Sequence, residues 1–375
     1  MKLFLIFHGR FPSEKAAALF AAKSAEAFAR EGITVELLVP RRLGRDPQDA
    51  HTYYALERNF SVHHLPVLDV FGIPLPRPIA FWISFVTFSL YAFIYLIFKA
   101  RKDDSIYSNE TLPLLILNPF FKNTLYEVHD FPEQNLWFYR SLFGGVRHLL
   151  STNTWKARML TERFGITPDK IFVEPNAVDV SMFAIPESRA QARTALGIPM
   201  ESKIAVYTGH LYGWKGVDTL ASAASLLPNV SVYFVGGTVQ DVKHFTSLWG
   251  HHENIHMIGH RPHTEIPLWQ RAADVLVLPN TAKEEISAHY TSPMKLFEYM
   301  ASGTPIVASN LPSIREIAEC RATLVEPDSP QALAHGLRAI FEGSAGEKEA
   351  AAASAWIGEH TWQKRAARIL ARIKI

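Results

Sequence analysis

The sequence predicts an α/β fold, with two consecutive doubly wound Rossmann-like sheets facing each other across a cleft. Short apolar runs alternate with helical stretches through the first half of the chain. The alternation pauses at a charged connector, "ESRAQARTALGIPMES", and then begins again. Such alternation argues for parallel strands with helices on both faces. At 375 residues and 48% hydrophobic, the chain can bury two cores. The expected domains are 1–185 and 186–355, with a C-terminal helix, 356–375, packing back on the junction.

In chain order, "KLFLIFH" reads as a strand and Glu14 to Arg30 as an alanine-rich helix. Gly32 separates that helix from the strand "ITVELLV", and "SVHHLPV" follows as a third strand. "SIYSNE", "TLYEVHD", "HLLSTN" and "IFVEPNAVD" come next, with helices between them. Beyond the connector, "KIAVYTG", "SVYFVGG", "IHMIGH", "DVLVLPN", "TPIVAS" and "ATLVEP" repeat the pattern. The alanine-rich tail from about Glu347 to Ile375 is expected to be one long helix without a strand partner.

Composition removes several function classes. A net charge of +2 leaves no footprint for nucleic acid. Cys320 is the single cysteine, so disulfides within the chain and cysteine-rich zinc sites are excluded, which agrees with a reducing, cytoplasmic setting. His251, His252, His256, His260 and His263 lack the spacing of a metal site and read as surface residues. No secretory signal is expected, because "MKLFLIF" runs straight into "HGRFPSEK".

"IAFWISFVTFSLYAFIYLIF", Ile79 to Phe98, is an uncharged run of the length that crosses a bilayer. Its place between two strands is that of a crossover helix, a true span and a face covered by other helices or a second subunit being the alternatives. One face must cover the sheet. The other, with Phe81, Trp82, Phe85 and Phe88 and with Arg77, Lys99, Arg101 and Lys102 at the ends, suits a bilayer surface.

Ligands of doubly wound sheets bind beyond the carboxyl ends of the strands. There the sequence places Gly9, His129 with Asp130, "GHLYGWKG" around Lys215, and Gly236. It also places "TSPMKLFEYM", in which Ser292 caps and Pro293 opens a helix. Glycines, a lysine and a helix start are the parts of a phosphate site. Glu298 is the odd residue of that helix, an acid among apolar neighbours. Taken singly, each residue also has an ordinary reading: turn glycine, buried histidine, solvated lysine, surface acid.

In combination, "VYTGHLYGWKGVDTL", "DVLVLPN" and "TSPMKLFEYMASGTPIVASNLPSIREI" resemble glycosyltransferase family 4, retaining enzymes of the GT-B fold that use nucleotide-diphosphate sugars. "EVHDFPE" and "EPNAVD" look like that family too. The resemblance implies transfer of a sugar to a glycan or lipid-linked acceptor, in cell-envelope polysaccharide biosynthesis. It implies no cofactor and no metal, in keeping with the absence of any Asp-x-Asp triplet. By the same resemblance, Lys215 neutralises the departing phosphate and His129 lies near the sugar. Glu298 accepts from the ribose hydroxyls. Gly9, Gly209, His210, Gly236, Tyr290, Thr291, Ser292 and Lys295 complete the donor site. Front-face displacement is the implied route, Asp130 being the carboxylate that a covalent route would use. Two positions depart from the family pattern: His210 stands where arginine is common, and Tyr290 where a sugar-binding glutamate is common. Another GT-B activity (epimerase or hydrolase) and a non-catalytic nucleotide-sugar-binding protein are the alternatives.

Overall fold

The computed structural model describes residues 1–42 and 49–373, and the chain divides into two compact units. The first holds Met1–Glu174 together with the stretch from Trp362 on, and the second holds Pro175–Thr361. The boundary thus falls after Glu174 rather than after residue 185. The C-terminal helix belongs to the first unit.

Among the described residues, the first unit carries a seven-stranded parallel sheet. Its strands are β1 (Lys2–Ile6), β2 (Thr34–Pro40), β3 (Ser61–Leu65), β4 (Ser105–Ser108), β5 (Thr124–Val128), β6 (His148–Ser151) and β7 (Ile171–Val173). Their order is β3-β2-β1-β4-β5-β6-β7, which puts the ends of β1, β4 and β5 side by side. Central strands such as β1 and β5 are buried along nearly their whole length, as expected for a parallel sheet covered on both faces.

The second unit carries β8 (Lys203–Thr208), β9 (Val230–Val235), β10 (Ile255–Gly259), β11 (Val275–Leu278), β12 (Ile306–Ser309) and β13 (Thr323–Val325). Their order is β10-β9-β8-β11-β12-β13, again parallel. Crossing from β8 to β11 creates the switch point at which such sheets bind ligands.

Two expectations need correction. The tail is not one helix: Glu347–Ile357 and Trp362–Ile373 are separate, and they belong to different units. The break has a local cause. Gly358 ends the first helix, and Thr361 bridges to Val178 in extended conformation.

The second correction concerns the apolar run, which forms the helix Arg77–Lys99. Phe85 and Phe88 do not belong to its outer face. Both are buried, and they pack on the His8 ring with centroids 4.9 and 5.4 Å away. The outer face is Phe81, Trp82, Val86, Leu90, Tyr91, Ile94, Ile97 and Phe98, spaced at three and four residues.

The Trp362–Ile373 helix is tied to the first unit by a buried ion pair. Arg365 donates to Glu127 Oε1 at 2.6 Å, and both side chains are almost fully buried. Burial alone would raise the Glu127 carboxyl. The Arg365 guanidinium, with His129 and Lys156, overrides this and holds it below the ordinary glutamate value. Removing one partner leaves an uncompensated buried charge. Arg365→Met should therefore cost about 3–5 kcal/mol. Urea unfolding checks this, and the double variant with Glu127→Gln should recover most of the loss. A single variant as stable as the wild type would show that the pair is dispensable.

Candidate functional site

The carboxyl edge of the second unit's sheet is closed by backbone contacts that leave no space for side chains. Gly209 donates to Val235 O and Gly236 to Gly259 O, each at 2.8 Å, so the exits of β8, β9 and β10 are zipped together. Gly236 has φ 129°, and a Cβ there would stand 2.4 Å from Gly209 O. Only glycine fits. Gly216 is as constrained, since its Cβ would meet Pro279 O at 1.9 Å.

Two lysine amines meet at this edge. Lys215 ends the short turn Gly213–Lys215, with Nζ 3.4 Å from the Trp214 ring centroid. Lys295 lies in the first turn of the helix Met294–Ser302, with Nζ 4.0 Å from the Tyr207 centroid. That Nζ is buried and has no hydrogen-bond partner, and a Cβ on Gly209 would sit 2.8 Å from it. Neither amine has an ion pair among the described residues. Burial pushes Lys215 down to about 7. Lys295 is driven well below the ordinary lysine value, first by burial and then by the Lys215 charge, with Glu298 opposing. Two desolvated amines of like charge define a site for an anion.

The helix beside them starts differently from the sequence expectation. Pro293 is the residue before the first turn, not within it, and it offers no side-chain cap. Ser292 does not cap either: its Oγ is buried without a partner, while its carbonyl accepts from the Asn176 side chain. The N-terminal amides thus have no capping side chain competing for them, as at anion-binding helix starts. Tyr299 fixes the helix to β8, its hydroxyl accepting from Thr208 N at 2.9 Å.

Glu298 is mostly buried, and His263 Nε2 lies 3.3 Å from its Oε1. His263 had read as a surface residue; its role beside Glu298 was not legible. Among the described residues no group of histidines, cysteines or acids is arranged to hold a metal ion. His210 follows Gly209, and its ring stacks flat on Tyr212, 4.9 Å between centroids. Tyr290 is buried at the end of a wide turn, Ile286–Tyr290, and Thr291 donates back to Ile286 O at 2.8 Å.

Gly9 and His129 belong to the first unit. Gly9 follows β1, and a Cβ there would meet the Phe7 ring at 2.2 Å. His129 follows β5, edge-on to Phe20 at 4.7 Å. Its Nε2 is 3.1 Å from Glu127 Oε1, near enough for an ion pair but off the direction of a hydrogen bond. Lys156 was missed by sequence reasoning. Its Nζ is buried and donates to Val128 O (2.7 Å), His129 O (2.9 Å) and Thr152 Oγ1 (2.5 Å), fixing the backbone under His129. Asn153, whose side chain caps the helix Thr154–Phe164 by accepting from Lys156 N, was the sequence signal. Asp130 is exposed.

Residues 202–342 match the family model described as glycosyl transferases group 1. The chain is 28% identical over 222 residues to D-inositol 3-phosphate glycosyltransferase 1 of Catenulispora acidiphila, covering 55% of this chain and 51% of that one. It spans about half the length of the curated relatives it matches. The fold is similar to that of sucrose-phosphate synthase from Thermosynechococcus elongatus, with TM-score 0.81 and 17% identity over 98% of this chain and 97% of that one. It is also similar to Anabaena HepE solved with UDP-glucose, with TM-score 0.73 and 17% identity over 99% of each chain. These matches define a two-domain GT-B protein. In sequence, the second unit is similar to the glycosyl transferases group 1 family, and the chain to curated glycosyltransferases.

The paired amines make a proton-linked prediction. Both lysines are depressed in the free protein, so some of their charge is missing at mildly alkaline pH. A bound diphosphate restores the charged forms. Binding of UDP should therefore take up protons, and affinity should fall as pH rises through about 7 and beyond. Calorimetry in buffers of different ionisation enthalpy measures the uptake. Lys295→Met should reduce it and His210→Arg should leave it. Uptake that vanishes only in His210→Arg would reassign the linkage to the histidine.

Proposed function

We propose that this chain transfers a sugar, with retention at the anomeric carbon, from a nucleotide-diphosphate sugar to a glycan or lipid-linked acceptor. The observation that carries the reading is the pair of desolvated amines, Lys215 and Lys295, without carboxylate partners beside the Met294–Ser302 helix start. They supply the charge that stabilises a departing diphosphate. Glu298, further along the same helix, takes the ribose hydroxyls once His263 yields its oxygen. His129, braced by Lys156 and Glu127, serves the sugar. No divalent cation is needed where two lysines carry the charge. The names of similar proteins put UDP-sugars first among donors to try, and inositol phosphates among acceptors. Cell-envelope polysaccharide biosynthesis is the setting this reading favours.

A donor screen by thermal shift, followed by product analysis, tests the proposal. Lys215→Ala should lower turnover about 10²–10³-fold. Glu298→Ala should mainly weaken nucleoside-diphosphate binding. Transfer should persist in excess chelator. Free sugar or an epimer formed without acceptor would instead favour the other GT-B activities, and unchanged turnover in Lys215→Ala would remove it from the mechanism.

A membrane-surface setting at the cytoplasmic leaflet is part of the same reading. The Arg77–Lys99 helix leaves a continuous apolar row in solvent, from Trp82 at 55% exposure to Phe98 at 82%. Leu68, Phe71, Ile73 and Leu75, just before it, are exposed too. Arg77, Lys99, Arg101 and Lys102 stand exposed at its ends, suited to anionic head groups. Phosphatidylglycerol-containing vesicles should sediment the protein, less so in high salt, and a Trp82→Glu/Ile94→Glu variant should stay in solution. Equal sedimentation of that variant would move the contact elsewhere, and carbonate resistance would make the helix a true span.

A further inference from the structure

We infer that Glu110 is an acceptor-binding residue, its carboxylate receiving the hydrogen bond of the acceptor hydroxyl that is to be glycosylated. The inference rests on the transferase reading above and adds a residue to it.

Glu110 stands just beyond β4, the strand between β1 and β5 in the sheet order. Its neighbours at that edge are therefore the Gly9 turn and His129, both expected near the reacting sugar. Oε1 accepts the backbone N–H of His8 at 2.8 Å, which anchors the turn leading to Gly9. The residue is partly buried, and no described residue donates to Oε2.

The ordinary roles of a glutamate at this position do not account for it. Glu110 precedes the short helix Thr111–Leu117 but makes no side-chain capping bond. It has no ion pair among the described residues, although Glu127 on the next strand has Arg365. A carboxylate partly withdrawn from water without a cation carries a cost. Glutamine would hold the His8 N–H as well and avoid that cost. The acid is thus explained by a ligand that the amide would serve less well, and a hydroxyl donor fits: a carboxylate accepts it more strongly than an amide does.

The surroundings agree. Burial raises the Glu110 carboxyl to about 7, with the His8 N–H and the His129 charge pulling the other way. The charged and titratable groups facing this edge are His8 and Arg42 on one side and Tyr126, His129 and Asp130 on the other. His8 stays neutral, pushed down to about 3 by burial and then by Arg42, so it does not compete as a cation. Ser84 holds its ring, 3.0 Å from Nε2, and also accepts from Arg42 at 2.6 Å.

The test compares wild type, Glu110→Gln and Glu110→Ala in the full chain. The probes are radiolabelled UDP-glucose and GDP-mannose as donors and, as acceptor, total membrane extract from cells lacking this protein. Glu110→Gln should keep UDP affinity and the unfolding midpoint. It should lower label incorporation at least about tenfold, mainly through a higher acceptor KM, as expected when a charged hydrogen-bond partner is replaced. The wild-type rate should rise with pH through the neutral range as the carboxyl ionises, and Glu110→Gln should lose that limb. Glu110→Gln matching the wild type in rate and profile, with only Glu110→Ala impaired, would reduce the residue to a tether for His8 and overturn the inference. A wild type that neither binds UDP nor incorporates label overturns the transferase reading itself, and this inference with it.

Discussion

Charge without a protein partner is the constraint on which this molecule's chemistry depends. Lys215 and Lys295 are withdrawn from water without an ion pair among the described residues, and the Lys215 charge makes Lys295 harder still to charge. A fold tolerates this only if the surrounding backbone is fixed by other means. Here the zipped exits of β8, β9 and β10 and the Tyr299–Thr208 contact do the fixing. The stability lost at the amines is recoverable when an anion arrives, so the site is strained toward its ligand rather than merely complementary to it.

The first unit applies the same rule with opposite sign. Glu127 lies near the end of β5 and is fully buried, while Glu110 follows β4 and is partly buried. Glu127 is saturated by Arg365, Tyr107 and the nearby His129, and its carboxyl is held ionised. Glu110 has one backbone amide and a raised carboxyl. Partnering, together with access to solvent, separates a structural acid from one available to a ligand. Lys156 shows the structural extreme among cations: three oxygens within hydrogen-bond distance consume its ammonium, leaving nothing for a substrate.

How far the sequence revealed this depends on the range of the interaction. The sheets were legible because alternating apolar runs and helices are local patterns, and every strand read from them is present. The glycine after β9 and the lysine of "GWKG" were legible because turns constrain residue type directly. What escaped reading was set by packing. Phe85 and Phe88 look like Phe81 and Trp82 in sequence. Only the wrap of the helix over His8 turns the first pair inward. The pairing of Arg365 with Glu127 spans 238 positions, and nothing in "KRAAR" announces it. His263 lay in a histidine-rich stretch whose spacing fitted no metal, and its approach to Glu298 depends on the loop after β10. Ser292 shows the reverse failure: a residue of capping type in a capping position whose Oγ nonetheless makes no cap.

The stretch before the Met294–Ser302 helix bears on sugar choice. At the position where the family 4 resemblance implies an acid, Tyr290 is buried at the end of the wide Ile286–Tyr290 turn. A wide turn adds a residue per repeat relative to an α-helix, so it rotates the following side chains away from their usual directions. Ser287 is locked within that turn. Its carbonyl accepts from Ser313 at 2.6 Å and its hydroxyl from Asn280 at 3.3 Å. The turn is therefore held by interior polar contacts and does not present a carboxylate from position 290. A sugar bound beside it would meet backbone amides and the Ser292 hydroxyl in place of an anion. Neutral donors discriminate among hydroxyl patterns less sharply than a charged acceptor does. On the transferase reading, selectivity for the donor would then lie more with the nucleotide and diphosphate contacts than with the sugar.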